Sequence, residues 1–118
     1  MDLQIDTSHR GGRTILTPRG AIDLSTIGAF RAVLDDVFLG GPVDLVLDLN
    51  EVTFIDSTGL GALISARRRS HAFKGSLVLA CRGDAVLRVL EVTGLDRVFE
   101  MVPEVASADT DAPMSPAP

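Results

Sequence analysis

Hydrophobic and polar residues alternate along the chain with two different periods, and each change of period predicts a change between strand and helix. Near the start, every second residue over 3–7 is apolar or β-branched, and a second apolar run follows over 13–17. Because the glycine pair Gly11-Gly12 separates the two runs, we predict a β-hairpin. Pro18 has no backbone N–H to donate, so we expect the second strand to end or kink there.

The following stretch has the period of an amphipathic helix. Ser25 or Thr26 can cap its start, and the Gly-Gly-Pro sequence at 40–42 ends it. Between these signals, apolar side chains recur on one helical face, at Ile27, Phe30, Leu34, Val37 and Phe38.

Strands and helices continue to alternate along the rest of the chain. We predict a buried strand over 43–49, a helix from 57 to about 71 with its arginines outward, a strand over 76–81, a short helix over 85–91 and a last strand over 97–102. This order predicts an α/β domain with a mixed, mostly parallel sheet of four to five strands, packed against three to four helices.

Composition places a domain boundary near residue 102. The 118 residues suffice for one domain, and without Trp or Tyr its core must be mainly aliphatic. Residues 103–118 hold four of the six prolines and show no hydrophobic period. We therefore expect a domain over 1–102 and a disordered tail over 103–118.

Charge and cysteine content exclude several classes of protein. The net charge is −5, and three of those charges belong to the tail, which has Glu104, Asp109 and Asp111 but no Lys or Arg. A basic footprint for nucleic acid is missing, and the arginines at 67–69 are typical of a solvated helix face. With no apolar span and no leader pattern, we expect a cytoplasmic protein that binds no membrane. Cys81 stands alone, which indicates a buried small hydrophobe.

The most informative segment covers residues 52–61. Within it, Asp56, Ser57, Thr58 and Gly59 lie where a core strand ends and a helix begins. Helix N-termini present unpaired N–H groups and a positive dipole end, so this junction can accept an anion or a phosphorylated side chain. Gly59 and Gly61 leave room for a close approach. The alternative is purely structural, because Asp, Ser and Thr are ordinary helix caps.

Residue type and spacing argue against several kinds of catalytic or binding site. A phosphate-binding P-loop requires a Lys directly after its last glycine, and no Lys follows Gly59 or Gly61. Ser57 has Gly59 two residues after it but Ile55 two residues before it, where a nucleophile elbow also requires a glycine. His9 and His71 lie away from any nucleophile, and with Cys81 they do not have the spacing of metal ligands. The sequence therefore predicts a protein that is no enzyme and binds no cofactor or metal.

The same residues resemble the STAS domains, in particular the bacterial anti-sigma factor antagonists. The resemblance covers roughly residues 3–102, and it is carried by the Gly-Ala-Ile-Asp turn at 20–23, the central segment 46–61, the strand at 77–79 and the stretch 86–96. Many members end in a further helix packed on the sheet, whereas here Pro103 leads into an acidic Pro/Ala segment.

The resemblance implies a partner switch. An unphosphorylated antagonist binds an anti-sigma factor, often itself a serine kinase, and so releases the sigma factor; phosphorylation ends the binding and a serine phosphatase restores it. The phosphoacceptor maps onto Ser57, and the implied partner surface is Asp23, Asp56, Ser57, Thr58 and Gly59. We expect Asp23 to be exposed, close to Ser57 and free of any duty in the core, although it could instead be a turn or cap residue. A monomer or weak dimer is implied.

Two other functions stay open on the sequence. The chain could be a STAS sensor module that binds a small ligand or nucleotide at the same helix N-terminus, or a subunit of a larger STAS signalling complex. The intact serine favours the antagonist.

Overall fold

A computed structural model describes residues 2–109 of the chain, which fold around one mixed sheet. Within these residues the strands are β1 (Leu3–Arg10), β2 (Arg13–Ile22), β3 (Asp44–Asp48), β4 (Val52–Ile55), β5 (Ser76–Ala80) and β6 (Glu100–Val102). The α-helices are α1 (Ile27–Leu39), α2 (Ser57–Ala72) and α3 (Asp84–Thr93), and 3₁₀ turns cover Leu95–Arg97 and Val105–Asp109.

The strand order confirms the predicted α/β class. Strands run in the order β1-β2-β3-β5-β6, and β4 pairs with β2 beyond the end of β3. Only β1 and β2 pair antiparallel, and the other pairings are parallel. The sheet has six strands rather than the four to five predicted, because the pattern does not mark β4: it is four residues long and only its first and last residues are buried.

The predicted hairpin is confirmed. Arg10 pairs with Arg13 across a two-residue turn, and Gly11 and Gly12 have φ of 57° and 81°. Two successive residues in the left-handed region define the turn that matches the twist of paired strands, and glycine adopts it without a steric cost.

Of the two outcomes predicted at Pro18, an end or a kink, the end is wrong, since β2 continues to Ile22. Antiparallel pairs alternate between hydrogen-bonded and non-hydrogen-bonded, and counting from the hairpin turn puts Pro18 and its partner Ile5 in a non-hydrogen-bonded pair. The proline nitrogen therefore faces the other side of β2. There the pairing with β3 ends at Leu16 and the pairing with β4 begins at Gly20, so no ladder bond is lost.

The helices cover one face of the sheet, and the core between them is mainly aliphatic, as the composition predicts. Helix α1 buries Phe30, Leu34 and Phe38, and α2 buries Ala62, Leu63 and Ala66. The arginines of α2 are only partly outward. Arg69 bonds Asp35 of α1 at 2.6 Å, and its guanidinium carbon lies 4.7 Å from the centre of the Phe38 ring.

The domain extends beyond the predicted boundary at residue 102. Ala108 is buried with Ile15, Val46, Val78, Ala80 and Val102 in a second apolar cluster, against which Val105 packs. Two polar contacts fix the connection: Asn50 Nδ2 donates to the Pro103 carbonyl at 3.0 Å, and Arg82 bonds Glu104 at 3.0 Å. The segment 103–109 thus belongs to the fold, and the rest of the predicted tail lies outside the described residues.

The single cysteine lies where the sequence analysis expects it. Cys81 is buried in the main core, which confirms its interpretation as a small hydrophobe, and burial raises the pKa of its thiol. Among residues 2–109, none of the helices has the length and apolar character that crossing a membrane requires.

Candidate functional site

The candidate site is formed by two strand-to-helix junctions that lie side by side. Strands β2 and β4 are parallel neighbours, and their last residues, Ile22 and Ile55, are paired. The chain then leaves both strands at the same edge of the sheet, through residues 23–26 into α1 and through Asp56 into α2. The backbone N–H of Asp56 donates to the Ile22 carbonyl at 3.2 Å, which joins the two junctions directly.

Asp56 caps α2 and also holds the neighbouring junction. Its Oδ1 accepts hydrogen bonds from the Gly59 N–H at 3.1 Å and from the Thr58 hydroxyl at 2.7 Å. Its Oδ2 accepts from the Leu24 N–H at 3.2 Å. These bonds, that of the Thr58 hydroxyl above all, hold the pKa of Asp56 below its ordinary value. The carboxylate is therefore ionised at neutral pH, and it connects residues 32 positions apart.

Asp23 organises its own loop, and it is less exposed than the sequence analysis expects. It is half-buried, and its Oδ1 accepts from the Ser25 hydroxyl at 2.6 Å, the Ser25 N–H at 2.9 Å and the Thr26 N–H at 3.2 Å. The Ser25 hydroxyl is the main cause of the lowered pKa of Asp23. Asp23 is thus the turn residue ahead of α1 that the structural alternative describes.

Thr26 occupies the predicted cap position of α1 but not with the predicted chemistry. Its side chain makes no capping bond to the helix. Instead, the buried hydroxyl turns back, donates to the Ala21 carbonyl at 2.8 Å and accepts from the Asp23 N–H at 3.0 Å. This side chain locks the loop to the end of β2, a role that the sequence alone does not reveal.

The hydroxyl groups at the two junctions differ in availability. Those of Ser25, Thr26 and Thr58 are all engaged, as described above. Ser57 is exposed in the first turn of α2, and within residues 2–109 its side chain makes no hydrogen bond. Ser57 therefore presents the free nucleophilic oxygen of the site.

The sequence analysis includes Gly59 in the implied partner surface, but the structure leaves this glycine almost no exposed surface. It is buried, and a Cβ at this position would lie 2.5 Å from Ile55 Cγ1 and 2.9 Å from Ile22 Cγ2. The glycine lets the first turn of α2 rest directly on the two strand ends. A Cβ on Gly61 would meet nothing within 4 Å, so that position is open.

Sequence reasoning also missed Leu24, which lies between the two aspartates with 76% of its surface exposed. The sequence does indicate this exposure, because Leu24 directly follows the turn at 20–23 and lies outside the apolar face of α1. Among residues 2–109, His, Cys, Asp and Glu side chains form no group of three or more that could hold a metal ion.

Comparisons with known proteins place this architecture among named relatives. The family model "STAS domain" matches residues 4–108, which includes the segment beyond 102. The anti-sigma-B factor antagonist of Listeria monocytogenes is 33% identical over 102 residues, covering 86% of this chain and 90% of the relative. The anti-sigma-F factor antagonist RsfB of Mycobacterium tuberculosis is 29% identical over 100 residues, covering 84% and 80%.

A solved structure agrees with the sequence relatives. The crystal structure of an anti-sigma factor antagonist from Mycobacterium paratuberculosis superposes with a TM-score of 0.84 at 28% identity, and the match covers 91% of each chain.

Proposed function

The chain belongs to the STAS domain family, and on that premise we propose that it acts as an anti-sigma factor antagonist. In this function the protein is a binding partner without an enzymatic reaction of its own. It captures an anti-sigma factor and so frees the sigma factor. Relatives that carry this name match almost the whole chain, which supports the proposal.

The proposed switch is phosphorylation of Ser57, and the observation that carries it is the free hydroxyl of that residue. A kinase must turn the acceptor hydroxyl toward its catalytic base and the γ-phosphate. Thr58 has its hydroxyl committed to Asp56 at 2.7 Å and is half-buried, whereas Ser57 is exposed. This difference favours Ser57 over its neighbour independently of the motif.

The charges at the site explain how phosphorylation would end binding without unfolding the protein. A phosphate adds about −1.5 to −2 charges. In the first turn of α2 the helix dipole tolerates them, so the fold survives. At an interface, however, the phosphate has to be desolvated beside two ionised carboxylates, Asp23 and Asp56. We expect the affinity for the partner to fall by about a hundredfold or more.

The proposed partners follow from this cycle. The anti-sigma factor is proposed to be the serine kinase that modifies Ser57, and a serine phosphatase returns the protein to its binding form. We propose that the exchange takes place in the cytoplasm, where bacterial sigma factors meet RNA polymerase, and that the antagonist takes part as a monomer or weak dimer.

The proposal is tested by capturing partners from the source organism with immobilised Ser57→Ala and Ser57→Asp proteins and identifying them by mass spectrometry. We expect an anti-sigma factor on Ser57→Ala and its loss on Ser57→Asp. The purified factor with ATP should then add one phosphate to the unmodified chain and to the control Ser25→Ala, but none to Ser57→Ala. Phosphate on Thr58 or Ser25 contradicts the proposed switch, and the absence of any anti-sigma factor contradicts the proposed function.

A further inference from the structure

Leu24 combines an exposed side chain with a fixed backbone. Its side chain is 76% exposed. Its N–H donates to Asp56 Oδ2 at 3.2 Å, and the next two N–H groups, of Ser25 and Thr26, donate to Asp23 Oδ1. The leucine is therefore displayed to solvent from a turn that is hydrogen-bonded on both sides.

A second exposed leucine shows why position matters more than exposure. Leu39 is 82% exposed and is the last residue of α1, at the opposite end of that helix. Single apolar side chains on a surface are common and by themselves indicate nothing. Leu24 differs because Asp56 holds its backbone N–H while Asp23 holds the two N–H groups that follow, and because Asp56 directly precedes Ser57 in the chain.

We propose that Leu24 is the apolar anchor of the surface that Ser57 controls, and that the anti-sigma factor receives it in an apolar socket with a basic rim. This inference rests on the proposed function and adds the contact that gives the complex its affinity. The surface is continuous with Ser57 through the Asp56–Leu24 hydrogen bond. A basic rim follows from charge, because the ionised carboxylates of Asp23 and Asp56 flank the leucine and need complementary groups across an interface.

The fixed turn makes this anchor efficient. Ordering a loop on binding lowers affinity, and here the loop is ordered before the partner arrives. Complete burial of a leucine side chain corresponds to about a 10- to 100-fold gain in affinity. Removing most of that side chain is therefore expected to weaken the complex by about this factor, while the fold stays intact because the side chain contributes little to the core.

The experiment compares four proteins: the unmodified chain, Leu24→Ala, Leu24→Met and the matched control Leu39→Ala. Each is titrated by calorimetry with the purified anti-sigma factor captured by Ser57→Ala, and each is melted alone. We expect Leu24→Ala to weaken binding by about 10- to 100-fold, Leu24→Met by less than about threefold, and Leu39→Ala not at all. All four melting temperatures should agree within about 2 °C.

Each alternative result has a separate meaning. If the unmodified chain binds in a Ser57-dependent way and Leu24→Ala binds equally well, the anchor is refuted while the proposed function stands. If the unmodified chain binds no anti-sigma factor, both are refuted. If light scattering shows a dimer that Leu24→Asp converts to a monomer, the leucine belongs to a contact between two copies, and the proposed anchor is again refuted.

Discussion

The two junctions at this edge of the sheet are built from similar residues and yet do different work. Each follows a buried strand, precedes a helix and contains an aspartate with hydroxyl residues beside it. In the junction before α1 both hydroxyls are engaged, that of Ser25 by Asp23 and that of Thr26 by the Ala21 carbonyl at the end of β2. Of the two hydroxyls in the junction before α2, Asp56 engages that of Thr58 and leaves that of Ser57 free.

This difference separates a scaffold from a switch. A hydroxyl that already donates to a carboxylate maintains the loop, whereas one without a partner can be modified at little structural cost. The side-chain support between the junctions runs one way. Asp56 of the second junction holds Leu24 of the first, whereas the Asp23 carboxylate bonds only within its own loop. The comparison leads to four predictions about stability.

The largest effect is expected where α2 rests on the strands. Gly59→Ala puts a methyl group within 2.5 Å of Ile55 Cγ1 and 2.9 Å of Ile22 Cγ2, so it should destabilise the protein by about 1–3 kcal/mol in urea unfolding. Gly61→Ala, in the same helix but with an open site, should stabilise it by about 0.5–1 kcal/mol. Equal effects of the two changes would show that the first turn of α2 does not need this close approach.

A somewhat smaller effect should separate the two threonines. Thr26→Val keeps the shape of the side chain but leaves the Ala21 carbonyl and the Asp23 N–H without their buried partner, at a cost of about 1–3 kcal/mol. Thr58→Val should cost less, because Thr58 is only half-buried and Asp56 keeps its bonds to Gly59 and Leu24. Chemical unfolding of both variants gives the order, and the reverse order would contradict the scaffold role of the first junction.

The smallest effect concerns the carboxylates. Since both have a lowered pKa in the folded protein, their contribution to stability is present above their ordinary pKa of about 4 and is lost as the pH falls through the lowered values. Asp23→Asn and Asp56→Asn should therefore each reduce the fall in melting temperature between pH 5 and pH 2 (about the titration range of carboxyl groups).

At pH 7 the same two variants should differ from each other. Asp23 uses one oxygen, which asparagine retains, so its melting temperature should stay within about 2 °C. Asp56 uses both oxygens, and an amide facing the Leu24 N–H should lower the melting temperature by about 3–5 °C. If Asp23→Asn is the more harmful change, Asp56 does not connect the junctions as the structure indicates.

Short-range patterns predicted most elements, because helix and strand periods depend on neighbouring residues. The helices, β3 and β5 lie close to their predicted ranges, whereas β2 runs on to Ile22 and β6 covers only the second half of the strand predicted over 97–102. The predictions of a strand end at Pro18 and of too few strands, without β4, are wrong for the same reason. What a strand residue needs depends on the strands beside it, and β2 changes partner from β3 to β4 just where the proline lies.

The sequence by itself determined the α/β class, the family resemblance and the junction that holds Ser57, since these depend on local periods and on a contiguous motif. The folded structure decided which hydroxyl is free, because the conformation at the strand ends brings the Thr58 hydroxyl to Asp56 and the Thr26 hydroxyl to the Ala21 carbonyl. It joined Asp56 to Leu24, which lies 32 positions away in the chain. It also decided that Gly59 is buried, that Leu24 is exposed between two aspartates and that residues 103–109 cover the sheet. Burial and hydrogen bonding are properties of assembled neighbours, and residues far apart in the chain become neighbours only in the fold.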